Sequence, residues 1–187
     1  MTTFVAFLRG INVSGKNLIK MDELKRAAEN AGFMEVITYL QSGNLVFRSQ
    51  ETDPEILRNR LLETISSRFG LNIQLLMMDE QKLKRIAGQH PFGAIPETAY
   101  GRCFVTMLAE IAERSSLEAL EVYTQKDEKI WYDGESIYLF CPQGYGRTKL
   151  NNNLIEKKLR MMATTRNWNT MLEMSKLVES SMNQNHH

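Results

Sequence analysis

VITYLQSGNLVFR, residues 36–48, is the stretch on which the fold turns. Two short runs rich in β-branched and aromatic residues, Val36–Leu40 and Leu45–Arg48, are separated by Gln41-Ser42-Gly43-Asn44. Glycine tolerates the positive φ that a tight reversal demands, so the stretch predicts an antiparallel hairpin with Gly43 in its turn. Upstream, Met21, Leu24, Ala27, Ala28 and Ala31 recur at helical spacing and Gly32 supplies a stop. Before them Thr3–Leu8 (TFVAFL) reads as a buried strand. Downstream, Asp53-Pro54 offers an N-cap with proline at the first helical position. Leu57, Leu61, Ile65 and Phe69 then share one helical face, Gly70 closes the helix, and Asn72–Met78 is the next strand. The order is βαββαβ, the ferredoxin-like pattern of an antiparallel sheet with its helices on one face.

The rest of the chain repeats that order. Asp79 caps a short helix bearing Leu83, Ile86 and Ala87 and ended by Gly88; Gln89–Gly101, broken by Pro91, Gly93 and Pro96, reads as an irregular connection. Arg102–Leu108 follows as a strand and Ser115–Val122 as a helix. Lys129–Tyr132 and Ser136–Cys141 form a hairpin around Asp133-Gly134. A loop, a helix with Ile155, Leu159 and Met162, and a short strand around Ala163-Thr164 come next. A final helix sets Met171, Met174, Ser175 and Val178 on its inner face. The expected fold class is α+β: two ferredoxin-like subdomains (βαββαβ-type) with antiparallel sheets, plus a C-terminal helix. The first spans residues 1–78, a helix and connection 79–101, and the second subdomain with the final helix 102–182; 183–187 is a frayed tail ending in His186-His187.

Composition narrows the function classes. With 187 residues, 43% hydrophobic and 24% charged, the chain has the balance of a globular protein. A net charge of +1 gives no overall attraction to polyanions, so any nucleic-acid contact must come from a local patch. No apolar run approaches the roughly 20 residues of a membrane span, and Met1-Thr2-Thr3 lacks the charged region of a secretory signal. The expected location is therefore cytoplasmic. Cys103 and Cys141 have no CxxC partner and read as buried free thiols. GxSxG, HExxH, EF-hand and zinc spacings are missing, and His90, the one histidine outside the tail, reads as a structural hydrogen-bonder. No catalytic residue, metal or cofactor is assigned.

What the sequence does offer is cationic loops rich in glycine and asparagine. Gly144–Met171 (GYGRTKLNNNLIEKKLRMMATTRNWNTM) sets Gly144, Tyr145, Gly146, Arg147, Thr148 and Lys149 ahead of a helix beginning near Asn151. Glycines let amides converge on an anion, and a helix start adds its dipole, although the spacing is not that of a Walker loop. On spacing alone a plain strand-to-helix connection with solvated cations is the better account. Arg9–Lys20 (RGINVSGKNLIK) has the same character, through Arg9, Asn12, Lys16 and Asn17. Gln41, Ser42 and Asn44 sit at the hairpin tip, where turn chemistry alone explains them. Arg166 adds a cation, Asn167 caps the last helix or binds ligand, and Trp168 stacks on a base or sugar or fills the gap between subdomains. The candidate ligand-binding set is Arg9, Asn12, Lys16, Asn17, Gln41, Ser42, Asn44, Tyr145, Arg147, Thr148, Lys149, Arg166, Asn167 and Trp168. The accompanying geometric expectation is that Arg9, Lys16, Arg147 and Arg166 share one cleft.

Four blocks, LRGINVSGKN (Leu8–Asn17), TYLQSGNLVF (Thr38–Phe47), GYGRTKL (Gly144–Leu150) and TTRNWNTM (Thr164–Met171), closely resemble the bacterial family catalogued as domain of unknown function 1697. Ser14 stands where a second glycine is common in that family, and Thr148 where serine is common. The resemblance implies a small cytoplasmic protein of two ferredoxin-like subdomains and no established activity. Three function classes stay open. The first is a binding module for a phosphate-bearing ligand, nucleotide-like or RNA; RNA would stack on Tyr39, Phe47, Trp131 and Tyr138 of the hairpin strands. The second is an interaction protein forming a homodimer, for which the 11 methionines supply adaptable surface. The third is a phosphate-chemistry enzyme using Arg9, Lys16, Arg147 and Arg166 to hold developing charge.

Overall fold

β1 (Thr2–Arg9) is buried along almost its whole length because it lies inside a sheet covered on both faces. In the computed structural model, which describes residues 1–88 and 90–183, β1 pairs antiparallel with β3 (Asn44–Ser49) and with β4 (Gln74–Asp79). β2 (Met34–Tyr39) extends the sheet beyond β3, giving the order β2-β3-β1-β4. Alternation sends Phe4, Ala6 and Leu8 to the face covered by α1 (Met21–Asn30) and α2 (Pro54–Phe69), where Leu24, Leu57, Leu61 and Ile65 complete a buried core. Each such fully buried aliphatic side chain contributes about 1.5–3 kcal/mol. Val5 and Phe7 point to the opposite face; Val5 lies across from Val46 and Met78 in the register, and all four are buried. An apolar run without alternation is what a strand buried on both faces requires.

The local signals act as read from sequence. The Asp53 carboxylate accepts from the Glu55 amide at 2.8 Å, and Gly70 ends α2 in the left-handed conformation at φ 67°. Asp79 accepts from the Lys82 amide at 2.7 Å to start α3 (Glu80–Gly88). The hairpin turn carries Gly43 at φ 76°.

The second sheet has the same connectivity. β5 (Cys103–Leu108), α4 (Arg114–Glu118), β6 (Lys129–Tyr132), β7 (Ser136–Phe140), α5 (Asn152–Leu159) and β8 (Ala163–Asn167) build the order β6-β7-β5-β8. Leu108, Leu117, Leu120, Ile137, Leu139 and Ile155 form its helix-side core. The fold is thus α+β, two ferredoxin-like subdomains with antiparallel four-stranded sheets and a C-terminal helix, α6 (Trp168–Asn183). The chain divides into two compact units, one of Met1–Arg85 with α6 from Glu173, the other of Ile86–Leu172.

Four local expectations are corrected. The segment before β5 holds two 3-10 helices, Phe92–Ala94 and Glu97–Arg102, because Phe92 is a core residue that anchors it. The helix expected over Ser115–Val122 is α4 followed by a separate 3-10 turn at Glu121–Tyr123. The hairpin turn lies one residue later than read: the Asp133 amide donates to the Ser136 carbonyl at 3.2 Å, with Gly134 at φ 93° between them. The strand glimpsed at Ala163-Thr164 is a full sheet member reaching Asn167, so Thr165, Arg166 and Asn167 are strand residues and not a loop. The remainder of the expected frayed tail, with His186-His187, lies outside the described residues.

Candidate functional site

The loop between β1 and α1 is an ordered structure built on left-handed residues. Gly10, Asn12, Ser14, Gly15 and Asn17 all have φ between 49° and 75°. Asparagine tolerates this region because its short amide bonds locally, and here it does so. Asn12 donates through Nδ2 to the Ile19 carbonyl at 2.9 Å and to the Gln41 carbonyl at 2.8 Å, while its Oδ1 accepts from the Ile19 amide at 2.9 Å. Asn17 donates to the Gly10 carbonyl at 2.9 Å, the Asn12 amide donates to the Asn17 carbonyl at 3.1 Å, and the Lys16 amide donates to the Val13 carbonyl at 2.9 Å. The amides of Ser14 and Gly15 have no protein acceptor among the described residues. Lys16, Asn17 and Lys20 are exposed at the surface, and Arg9 is half-buried at the end of its strand.

The hairpin tip closes against this loop. The Leu8 amide donates to the Gly43 carbonyl at 2.8 Å, and a Cβ on Gly43 would lie 2.5 Å from Ile11 Cδ1. Asn44 is buried, its Nδ2 donating to the Tyr39 carbonyl at 2.7 Å and the Ser42 hydroxyl at 3.1 Å, so it holds the turn from inside. Gln41 and Ser42 are exposed. Beside the two loops lies a hollow of about 400 Å³ lined by Asn12, Leu18, Ile19, Lys20, Glu23, Gln41 and Phe69. Sequence reading missed Lys20 and Leu18. The available signal was Leu18 itself, an apolar residue in a polar loop, which stays 69% exposed.

The Gly144–Leu150 connection is different in kind. Gly144 has φ 92°, but the Gly144, Arg147 and Thr148 amides donate to the Cys141, Gly144 and Tyr145 carbonyls, and the Leu150 amide donates to the Thr148 hydroxyl. With these four amides spent internally, those of Gly146 and Lys149 are the ones without a protein acceptor among the described residues apart from Tyr145, so the loop has fewer to turn toward an anion than its glycines suggest. The Tyr145 ring stands 4.9 Å from Phe104, and its hydroxyl donates to Thr165 Oγ1 at 3.0 Å. Thr165 in turn bonds Asn152 Oδ1 at 3.0 Å and lies 2.8 Å from Thr106 Oγ1. Asn151 caps α5 by accepting from the Leu154 amide at 3.0 Å. Arg147 and Lys149 are exposed.

Strand alternation separates this cluster from Arg166. Thr165 faces the helix side of the second sheet, so Arg166 faces the other, across from Val105 and in the same row as Tyr138 and Trp131. Arg166 is 8% exposed and its Nη1 donates to Thr164 Oγ1 at 2.9 Å and the Thr165 carbonyl at 3.0 Å. Asn167 accepts from the Asn169 amide at 3.0 Å and donates to the Gly101 carbonyl at 2.9 Å, capping α6. Trp168 is fully buried, its ring 4.9 Å from His90 and 5.2 Å from Phe92. His90 accepts from the Phe92 amide at 3.2 Å, the structural role read for it. Base stacking is closed to Trp168, and to the sheet aromatics Phe47 and Tyr138, by their burial. Arg9 and Lys16 belong to one compact unit, Arg147 and Arg166 to the other.

Both cysteines are buried free thiols; burial pushes Cys103 up to about 11 and Cys141 up to about 12. Among the described residues no three His, Cys, Asp or Glu side chains come together in a way that could hold a metal ion. No helix is long and apolar enough to cross a membrane among them either.

The family model described as "Protein of unknown function (DUF1697)" matches residues 1–138, so the Gly144–Leu150 and Thr164–Met171 blocks lie beyond the matched region. A search of the curated proteins finds no match. Among solved structures, a conserved bacterial protein from Streptococcus pneumoniae is similar at 24% identity and a TM-score of 0.72, over 95% of this chain and 98% of that one. That likeness shows the fold.

Proposed function

The chain belongs to the protein family of unknown function DUF1697, and from its geometry we propose that it binds a small phosphate-bearing ligand, nucleotide-like in kind, at the Arg9–Lys20 loop. One observation carries the reading: the Ser14 and Gly15 amides at the tip of the loop, like those of Asn17 and Leu18, have no protein acceptor among the described residues, and Lys16, next in sequence, is exposed. Successive amides in left-handed turns form a concave anion cradle, and a locked loop has little entropy left to lose on binding. Non-glycine residues held in the left-handed region cost on the order of 1 kcal/mol or more each, and such strain collects at ligand clamps. Lys16 supplies the charge with Asn17 next to it in the loop and Arg9 at the loop's start, while at the hairpin tip Gln41 lines the hollow beside the loop and Ser42 is exposed next to it. Asn12 and Asn44 are the supports of that arrangement. In the second unit, Arg147 and Lys149 are exposed cations on the same loop as Tyr145 and Thr148. Arg166 faces the other side of the sheet, Asn167 caps the last helix and Trp168 is buried, so these three stand apart from that loop.

The test is calorimetric titration of the full chain with AMP, ADP, pyrophosphate and a short single-stranded RNA at low salt. We expect binding of the small phosphates tighter than millimolar, weakened about tenfold by Lys16→Ala, as loss of one charge-assisted bond implies. Tighter binding of the RNA than of any small phosphate sinks the small-ligand reading. So does affinity untouched by Lys16→Ala.

A further inference from the structure

We infer that the groove between α1 and α2 is a second binding site, for a small organic anion, in which Arg26 and Arg68 grip the oxyanion. The groove measures about 640 Å³, within the range of about 300–1,000 Å³ in which small-molecule sites fall. Its existence follows from the sequence of the two helices. Above the core, Ala27 of α1 and Ala31, the residue that caps its end, stand where α2 presents Thr64 and Ser67, and side chains this short leave a trough between the helices.

The charge pattern around the trough selects the ligand. On these helices the other cations have partners: Lys25 has Glu29 at 3.9 Å, Arg58 has Glu55 at 2.7 Å, and Arg60 lies 6.0 Å over the Phe33 ring. Arg26 and Arg68 alone lack a carboxylate or ring among the described residues, and both line the groove. Arg26 spends only Nε, on the Asp22 carbonyl at 3.2 Å, leaving its terminal nitrogens for another acceptor. Two guanidinium groups in one concave site repel each other unless an anion lies between them, and their forked donors suit carboxylate or phosphate oxygens. Glu23 is the single carboxylate in the lining, and Lys20 sits 3.8 Å from it. Asn30 and Ser67 add uncharged donors, while Ala27 and Ala31 give an apolar floor. A charged head on a flat apolar body fits this lining better than inorganic phosphate.

The groove shares Glu23 with the hollow beside the Arg9–Lys20 loop but not Lys16, so a titration distinguishes the two sites. Amide chemical shifts of the ¹⁵N-labelled full chain are followed with phenyl phosphate, benzoate and, as a neutral control, benzyl alcohol. We expect Ala27, Asn30, Ala31, Thr64 and Ser67 to move with one or both anions and to stay put with the alcohol. Whether phosphate or carboxylate moves them more names the head group. Arg26→Gln with Arg68→Gln should weaken the response at least tenfold, and Lys16→Ala should leave it unchanged. No shift in wild-type protein at anion concentrations up to about 10 mM, or equal shifts with the alcohol, overturns the site without reference to any variant. A response that survives both arginine substitutions overturns it too, leaving Arg68 as a partner of the α2 dipole alone.

Discussion

The side-chain amide of Asn12 donates to the Gln41 carbonyl at 2.8 Å, tying the loop after the first strand to a hairpin turn 29 residues further along the chain. The same side chain holds Ile19 by two bonds of 2.9 Å, so one residue with a left-handed backbone fixes three segments. Asn12→Ala removes all three bonds and adds a left-handed alanine. The expected cost is about 2–4 kcal/mol, read as a lower urea midpoint at unchanged slope, with faster hydrogen exchange at the Ile19 amide. A midpoint equal to wild type means that the loop holds its shape without this amide.

Gly43 is the other half of that junction. Alanine there is strained at φ 76°, and its Cβ would sit 2.5 Å from Ile11 Cδ1 and 2.9 Å from Leu8 Cβ. Strain and overpacking together predict a loss of about 2–4 kcal/mol for Gly43→Ala. Ile11→Val removes the Cδ1 atom, so in the double variant part of the loss should return, with a coupling of at least about 0.5 kcal/mol in a denaturation cycle. Strict additivity of the two substitutions would show that the clash relaxes elsewhere.

These two residues also mark how far the sequence could be read. The hairpin was legible because glycine and β-branched residues act locally, and the helix ends at Asp53 and Gly70 were legible for the same reason. The parity of β8 was not: Thr165 and Arg166 look alike as polar residues, and only their pairing with Thr106 and Val105 sends one to each face of the sheet. Arg166 and Trp168 read as ligand groups because nothing near them in sequence is apolar enough to bury them. The residues that do so, Phe92, Val105 and Tyr138, come from distant segments. The two glycine-rich loops likewise look equivalent as strings. Their difference lies in which amides are already bonded, a property of backbone dihedrals and not of residue type.

The hydroxyl of Thr165 joins Thr106, Tyr145 and Asn152 at 2.8–3.0 Å, which gives it more partners than any one of them shares with it. Thr165→Val should therefore cost about 2–3 kcal/mol, since it also strands the groups left behind, whereas Tyr145→Phe should cost about 1 kcal/mol. The phenylalanine ring keeps its packing on Phe104. Chemical denaturation of both single variants and the double variant decides the matter. Equal costs for the two singles would mean that the network contributes through the Tyr145 bond alone.

The buried thiols set an alkaline limit on stability. Cys103 is raised from 9.0 to about 11 and Cys141 from 9.0 to about 12, both chiefly by burial, and burial also raises the Tyr138 phenol well above its ordinary value. In each case the folded state holds its proton more tightly than the unfolded chain does. The associated stability is therefore complete below pH 9, the unfolded thiol value, and is lost progressively as the pH climbs through about 11 and 12. The expected observation is a urea midpoint that falls steeply above pH 9, with both thiols resisting a disulfide reagent in native protein and reacting at once in urea. Cys103→Ala with Cys141→Ala lowers stability at neutral pH by loss of packing, so the informative quantity is the slope of stability against pH. That slope should flatten in the double variant, and Tyr138→Phe should remove a further part. A slope identical to wild type in both variants would place the alkaline loss in the surface charges instead.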